Sequence, residues 1–455
     1  MRNHQPPTQS DPDDAAIPHW YDADSDRLEV VEGDGATVYD ADGTAYLDFQ
    51  SQLYCCNAGH SNEAILDAMD EQARRIPYVS SAKHNDTRSK LATRLAEVAP
   101  GTLSDVYFAV SGSEANETAV AMARKVQDGH KVLTRWQSYH GGTYGAGSLT
   151  GDPSTRTSLE VHAATTGAGK FLPPLPECFG GAEGEELAKR AADHVEFVLR
   201  NEGANSVAAI VMEPVAGTSG AYTAPPGYFE RLRAICDEYD VLLVADEVIT
   251  GFGRCGEWFG IETEGVEPDV ITFAKGVTSA YVPLAGVVVD EAIGAEIRGG
   301  SYDLGQTFAG HPVACAAGLA AIDEYADGLI EHGAAVGDYL EERLRNVAAD
   351  HDAVAEVRGR GLLWSLVFAD PETGEPFHHP WAPDEPAERE EDGPDSDDGD
   401  NPVAEFREAA QDRGVILGSG RPDVQAIVSP PLCVTEAEVD RAVDAIDEAI
   451  AAVFD

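Results

Sequence analysis

The stretch DVITFAKGVTSAYVPLAG, residues 269–286, decides how the rest of the 455-residue chain is read. Residues 270–273 are short, apolar and β-branched, as in a buried strand. The run ends in Ala274-Lys275-Gly276, so Lys275 lies where a buried strand meets a loop. Lysine is scarce, with seven of the 31 basic residues against 24 arginines. A chain that avoids lysine yet places one at the mouth of an apolar strand has a use for an amine there. Arginine would serve as well in a salt bridge but cannot form a Schiff base. Taken alone, Lys275 does not outweigh the plainer reading of a side chain that runs out of a strand end to water. Its company in the fold has to decide.

Outward from this stretch the chain alternates strand, turn and helix. Short apolar runs at 106–110, 131–134, 207–212, 241–245 and 285–289 read as further strands. Residues 111–125, SGSEANETAVAMARK, read as a helix, as do 65–76 and 87–98. The pattern predicts an α/β fold with a mostly parallel central sheet covered on both faces. Ligands of such a sheet sit beyond the carboxyl ends of its strands. Before it, a polar, Pro-rich arm at 1–18 precedes a small meander at 28–49, with a hairpin turning at Asp42-Gly43. After His311, VACAAGLAAIDEY reads as a helix of small residues, and 334–369 mix a helix with a strand, LLWSLVFA. Residues 370–401 are acidic and rich in Pro and Gly, an exposed insertion. Its DSDDGD run fails the glutamate spacing of a calcium loop. The last helix carries one apolar stripe, from Val439 through Ile446 to Phe454, with Thr435 and Glu438 fit to cap its start. The expected division is an arm and part of a small domain at 1–60, a large domain at 61–325, and the remainder of a small α+β domain at 326–455.

Composition narrows the class. Hydrophobic residues make up 43% of the chain, which fits a globular protein. No apolar run is long enough to cross a bilayer, and the first residues have no apolar core of a secretory signal. Seven irregularly spaced cysteines suggest reduced thiols in a cytoplasm. Cys55-Cys56 belong to no CxxC pair, so no zinc or other metal site is expected. The net charge of −50 repels nucleic acid and anionic membranes. Acids spread along the chain, with lysine depleted, suit high salt, where repulsion is screened. A halophilic cytoplasmic enzyme is the expectation.

Four strand-end motifs converge with Lys275 if the sheet is real. Ser111-Gly112-Ser113 follows a strand and opens a helix, where free N–H groups hold an anion and Gly112 admits a phosphate. It reads equally as an ordinary capped helix. Asp246 ends VLLVADE, where a buried carboxylate needs a partner, either a cationic ring nitrogen or an arginine. Tyr139-His140-Gly141-Gly142 offers an aromatic beside glycines that can stack on a flat ring, or simply pack in the core. Glu213-Pro214 ends a fourth strand. Lysine, phosphate cradle, buried acid and aromatic lid together describe a site for pyridoxal 5'-phosphate, in which the acid keeps the pyridine nitrogen protonated.

These blocks, in this order, resemble the class III (omega) aminotransferases of the fold-type-I pyridoxal phosphate enzymes. The matching segments are VSGSEANETAVAMARK, YHG, EPVAG, DEVITGFGRCGEWFG, FAKGVTSAYVPLAG and GQTFAGHPVACAAG, within a resemblance running from about Tyr21 to Phe454. It implies that Lys275 is the Schiff-base lysine and Asp246 the pyridine-nitrogen acid. Val248 and Tyr139, with His140 beside it, would flank the ring. Ser111, Gly112 and Ser113 would form the phosphate loop, and Glu213 would lie on the substrate side. Thr307 would reach the phosphate of a neighbouring subunit, which implies a homodimer with sites at its interface.

The resemblance also bears on the substrate. Ornithine- and GABA-type members carry an arginine where Ile427 stands. Here Arg421-Pro422 precedes QAIVSPPL, as in the amine and omega-amino-acid:pyruvate branch. Arg421 would clamp an α-carboxylate and swing away for other donors, with a surface loop arginine as the plainer reading. Tyr54 stands where that branch often has a tryptophan lining the pocket. An aminomutase, a decarboxylating aminotransferase and a non-catalytic relative remain alternatives. Gly251 to Gly256 spells G-x-G-x-x-G but opens no helix, so a dinucleotide-binding reading fails its context.

Overall fold

The computed structural model describes residues 28–160, 167–300, 305–374, 377 and 401–454. The arm expected at 1–18 lies outside the described residues, as does most of the acidic insertion with its DSDDGD run. Among the described residues the largest element is a seven-stranded sheet. Its order is Leu103–Ala109, Ala285–Asp290, Val270–Phe273, Leu242–Asp246, Val207–Met212, Lys131–Arg135 and Ala168–Phe171. From Val270–Phe273 onward the neighbours are parallel. Ala285–Asp290 runs antiparallel to both of its neighbours. The sheet is thus mostly parallel, as the alternating pattern predicts.

Two-residue alternation sorts the strands onto two cores. Ala209, Val211 and Val244 pack with Ala115, Ala119 and Met122 of the helix Gly112–Val126. Ile210, Leu243 and Ile271 face the other way, in one cluster with Ala188, Ala191 and Val195 of Gly184–Glu202. All six residues of Val207–Met212 are buried, so both faces are covered. Each full-sized apolar side chain so buried contributes about 1.5–3 kcal/mol. The small helix residues let the layers approach closely.

Two further sheets have four strands each, and their Leu47 and Leu366 join the same apolar cluster as Ile210. The predicted meander forms as Val30–Asp34, Thr37–Asp40 and Ala45–Asp48, with Gly43 at φ 82° in the hairpin turn. Its fourth strand is Val415–Ile416, parallel to Ala45–Asp48, so distant parts of the chain complete one sheet. The other sheet joins Val354–Arg360, Leu363–Phe368, Gln425–Val428 and Gly418–Ser419. The helix Glu436–Phe454 begins with the predicted cap, Glu438 N donating to Thr435 Oγ1 at 3.3 Å and Thr435 N to Glu438 Oε2 at 2.9 Å. No helix among the described residues is long and apolar enough to cross a membrane. The Gly251–Gly256 segment folds as turns, as its context required. Its Arg254 is fully buried and donates to Asn57 Oδ1 at 2.9 Å, Leu362 O at 3.0 Å and Pro430 O. One side chain therefore ties three distant segments to the sheet beside the cavity described next.

Candidate active site

A cavity of about 350 Å³ opens at the carboxyl ends of the parallel strands, within the size range of ligand sites. Of the residues singled out from sequence, all but Ser111 and Thr307 line it. Asp246 ends its strand on the cavity floor, only 3% exposed. Its Oδ2 accepts from Asn116 Nδ2 at 2.8 Å and pairs with His140 Nδ1 at 2.7 Å. Its Oδ1 accepts from Val248 N at 3.1 Å and Thr272 Oγ1 at 3.2 Å. Burial pushes this carboxyl up, but His140 and Asn116 outweigh it and hold the group below the ordinary aspartate value. Asp246 is therefore an ionised acid at neutral pH.

His140 stands behind that acid. Its second nitrogen, Nε2, meets Thr134 Oγ1 at 3.0 Å, so both ring nitrogens are engaged within the protein. The proton on Nδ1 follows from the carboxylate it faces. His140 supports Asp246 in this way rather than offering a free nitrogen to a ligand.

Lys275 follows Val270–Phe273 with φ 46°, a left-handed conformation that costs a non-glycine residue energy. The next position must be glycine-like in bulk. A Cβ on Gly276 would meet Asn57 Nδ2 at 2.7 Å. Lys275 Nζ lies 5.4 Å from the centroid of the buried Tyr54 ring. Burial pushes its ammonium down from the ordinary lysine value, partly opposed by Cys55, Asp246 and Glu213. The amine is thus eased toward its neutral, nucleophilic form. Burial also pushes the Tyr54 phenol up to about 12.

The helix Gly112–Val126 starts at the cavity wall. Ser111 Oγ accepts from Glu114 N at 3.3 Å, while Glu114 Oε2 accepts from Val110 N at 3.0 Å and Ser111 N at 3.2 Å. Ser111 is exposed and serves this cap. The cap does not engage the N–H groups of Gly112 and Ser113, both of which line the cavity. A Cβ at Gly112 would meet Val248 Cγ1 at 2.9 Å, so only glycine lets Val248 sit there. Ser113 Oγ accepts from Gly142 N at 3.1 Å and so joins this turn to the loop after Tyr139.

Glu213 is buried and pairs with Arg135, whose Nη2 lies 3.1 Å from Oε2. Arg135 Nη1 donates to Glu213 O at 3.2 Å, and the guanidinium stands 4.9 Å from the Tyr222 ring centroid. Arg421 is far from Tyr139 in sequence, yet it lines the same cavity and its guanidinium lies 5.0 Å from the Tyr139 centroid. Thr307 is exposed, its carbonyl accepting from Tyr78 Oη at 3.0 Å, next to Phe308, which is 59% exposed.

Sequence reasoning missed Asn116 and Arg135. Asn116 donates to both Asp246 and His140 O, while its buried Oδ1 has no partner among the described residues. A polar residue on the apolar face of the 111–125 helix was the available signal. Arg135 closes the apolar run of its strand much as Asp246 closes another, and the same reasoning applies to both.

Comparison with known proteins gives the family. The class-III aminotransferase family model matches residues 20–450. Diaminobutyrate--2-oxoglutarate transaminase of Halomonas elongata is 34% identical over 449 residues, covering 94% of this chain and 90% of that protein. Gamma-aminobutyrate transaminase 1, mitochondrial, of Oryza sativa subsp. japonica is 31% identical, covering 95% of this chain and 83% of the relative. Among solved structures, taurine:2-oxoglutarate aminotransferase from Bifidobacterium kashiwanohense, in complex with PLP and glutamate, superposes with a TM-score of 0.88. It is 32% identical and covers 96% of this chain and 95% of that one. The PMP-bound aminotransferase from Vibrio fluvialis gives 0.88 at 28% identity, with 99% of each chain covered. The chain belongs to the class III aminotransferases, fold-type-I enzymes that use pyridoxal phosphate to transfer an amino group.

Proposed function

We propose that this enzyme moves an amino group from an amine or omega-amino-acid donor to a keto acid, pyruvate foremost, with Lys275 as the catalytic amine. The observation that carries the reading is that Lys275, Asp246 and Arg421, far apart in sequence, line one cavity. When bound, pyridoxal phosphate supplies an aldehyde that takes up the amino group and a cationic ring that accepts electron density. The residues present fit that group. An ionised acid lies on the floor, the helix start offers N–H groups to a phosphate, and a Cβ at Gly112 would close the cradle.

In this reading Asp246 holds the proton on the ring nitrogen, and His140 and Asn116 hold Asp246. Val248 and Tyr139 would flank the ring, and Gly112 and Ser113 would receive the phosphate. Ser111 acts through the cap that shapes this turn. Lys275 would hold the cofactor through Nζ; with that nitrogen freed by the donor amine, it would take the proton from the donor carbon as base and deliver it as acid to the cofactor side rather than back to the donor. Its lowered basicity favours the first of these acts. Glu213, held by Arg135, borders the substrate side, and Tyr54 limits donor size. Arg421 clamps the α-carboxylate.

Arg421 is the one arginine lining the cavity among the described residues, and buried Ile427 occupies the position of the arginine in the ornithine and GABA branches. One clamp suits a monocarboxylic acceptor. Exposed Thr307, Phe308 and Tyr78 favour contact with a second copy, where Thr307 would reach the partner's phosphate. The acidic composition favours a cytoplasm of high salt. A panel of amine donors assayed against pyruvate and 2-oxoglutarate in molar salt tests the reading. Pyruvate should be the better acceptor for several donors. Preference for 2-oxoglutarate would overturn the acceptor, and carbon dioxide release or an isomer formed without a second substrate would overturn the reaction.

A further inference from the structure

Arg421 is held at both ends. Its backbone N donates to Thr218 O at 2.7 Å. Its Nη1 donates to Thr155 Oγ1 at 2.9 Å and lies 3.3 Å from Asp152 Oδ2. The Asp152 side chain is 7% exposed and that of Arg421 28%. Asp152 Oδ2 also accepts from Thr155 N at 2.9 Å, at the start of the helix Pro153–Glu160.

We infer that Asp152 and Thr155 form a holding point for Arg421, occupied when the substrate lacks a carboxylate and vacated when the substrate brings one. The inference rests on the reading of Arg421 as the carboxylate clamp. It adds the group that competes with the substrate for that arginine. The hold uses a single nitrogen shared between two acceptors, one of them at the long end of hydrogen-bond range. A substrate carboxylate can take two parallel bonds from the guanidinium, a stronger arrangement. Exchange therefore favours a carboxylate substrate.

Release leaves no stranded charge. Asp152 keeps the hydrogen bond from Thr155 N and the favourable field of a helix start after Arg421 departs. A buried carboxylate with no second partner could not let its arginine go so cheaply. The Tyr139 ring face beside the guanidinium supports the cation on its apolar side. Asp152 is thus a positioning residue for Arg421. It makes the same cavity acceptable to a keto acid and to an apolar amine.

Asp152→Asn tests this in the holoenzyme, because asparagine also caps a helix and keeps the shape. With the hold weakened by about 1 kcal/mol, the ratio of the KM for pyruvate to the KM for 1-phenylethylamine, which has no carboxylate, should fall roughly fivefold. If the held form prevails in the free enzyme, most of that change appears as a lower KM for pyruvate. The Kd of propionate, read from the cofactor's absorbance, should fall with the pyruvate KM. Thr155→Val should move each value the same way, and Asp152→Glu should restore part of the wild-type ratio. Arg421→Ala should raise the pyruvate KM and abolish the effect of Asp152→Asn in the double variant. If Arg421→Ala leaves pyruvate unaffected, the clamp reading itself fails. If Arg421→Ala raises the pyruvate KM but Asp152→Asn moves both substrates equally, or neither, the holding point alone is overturned.

Discussion

Asp246→Asn removes one charge and almost no volume, and the structure fixes what that costs. Among the described residues all four partners of the carboxylate are donors: His140 Nδ1, Asn116 Nδ2, Thr272 Oγ1 and Val248 N. An amide in place of the carboxylate sets an NH2 group against two of them. His140 can adapt by accepting on Nδ1 while Nε2 donates to Thr134 Oγ1, leaving one donor unmatched. The expected folding penalty is about 1–3 kcal/mol. The catalytic penalty is larger. A carboxylate and a ring cation at about 4 Å, with an effective dielectric near 20, interact by about 4 kcal/mol. Loss of that term corresponds to roughly a 10³-fold slower proton abstraction. Single-turnover kinetics with a saturating donor read this directly, and urea unfolding reads the folding penalty separately. Thr272→Val serves as the control, since it removes one donor but no charge. Asp246→Asn retaining more than about a tenth of the wild-type rate would refute the reasoning, because the charge would then be doing little at the ring.

Two further outcomes follow from buried groups. Glu213→Ala leaves Arg135, 1% exposed, without its carboxylate, and should lower stability by about 3–5 kcal/mol. Adding Arg135→Met should recover most of that loss in urea, whereas an unchanged midpoint in the single variant would contradict the pairing. In cofactor-free protein, Lys275 is charged below its lowered pKa and neutral above it. Between the folded and unfolded values the unfolded chain binds more protons, so this group makes stability rise with pH. Mass spectrometry after limited labelling with an amine-reactive ester should find Lys275 modified at lower pH than the exposed lysines, and labelling at the same pH as those lysines would count against it.

Much of this was legible because local signals agreed with the fold. The run at 270–273 is buried at every position, as its composition implied. The Asp42-Gly43 turn and the Thr435–Glu438 cap formed where turn and capping chemistry placed them. The strand Ala168–Phe171 was missed because only Phe171 is buried, so no apolar run marks it. Val354–Arg360 was missed for a similar reason, with just two of its seven positions buried. The antiparallel direction of Ala285–Asp290 is a property of its connection, which residue patterns do not encode. In the site, motifs at strand ends found the floor and the wall of the cavity. They could not show that both ring nitrogens of His140 are taken up by Asp246 and Thr134, nor that Ser111 serves the helix cap. Those facts depend on side-chain direction. Arg135 and Asp152 escaped notice because a partner across 78 or 269 residues has no sequence spacing to reveal it.

Lys275→Ala is the most direct trial of the central claim. The purified holoprotein should lack the visible absorbance of lysine-bound cofactor, and transfer from any donor should fall to background while the fold, read by circular dichroism, persists. Retention of that absorbance together with normal turnover would contradict the account.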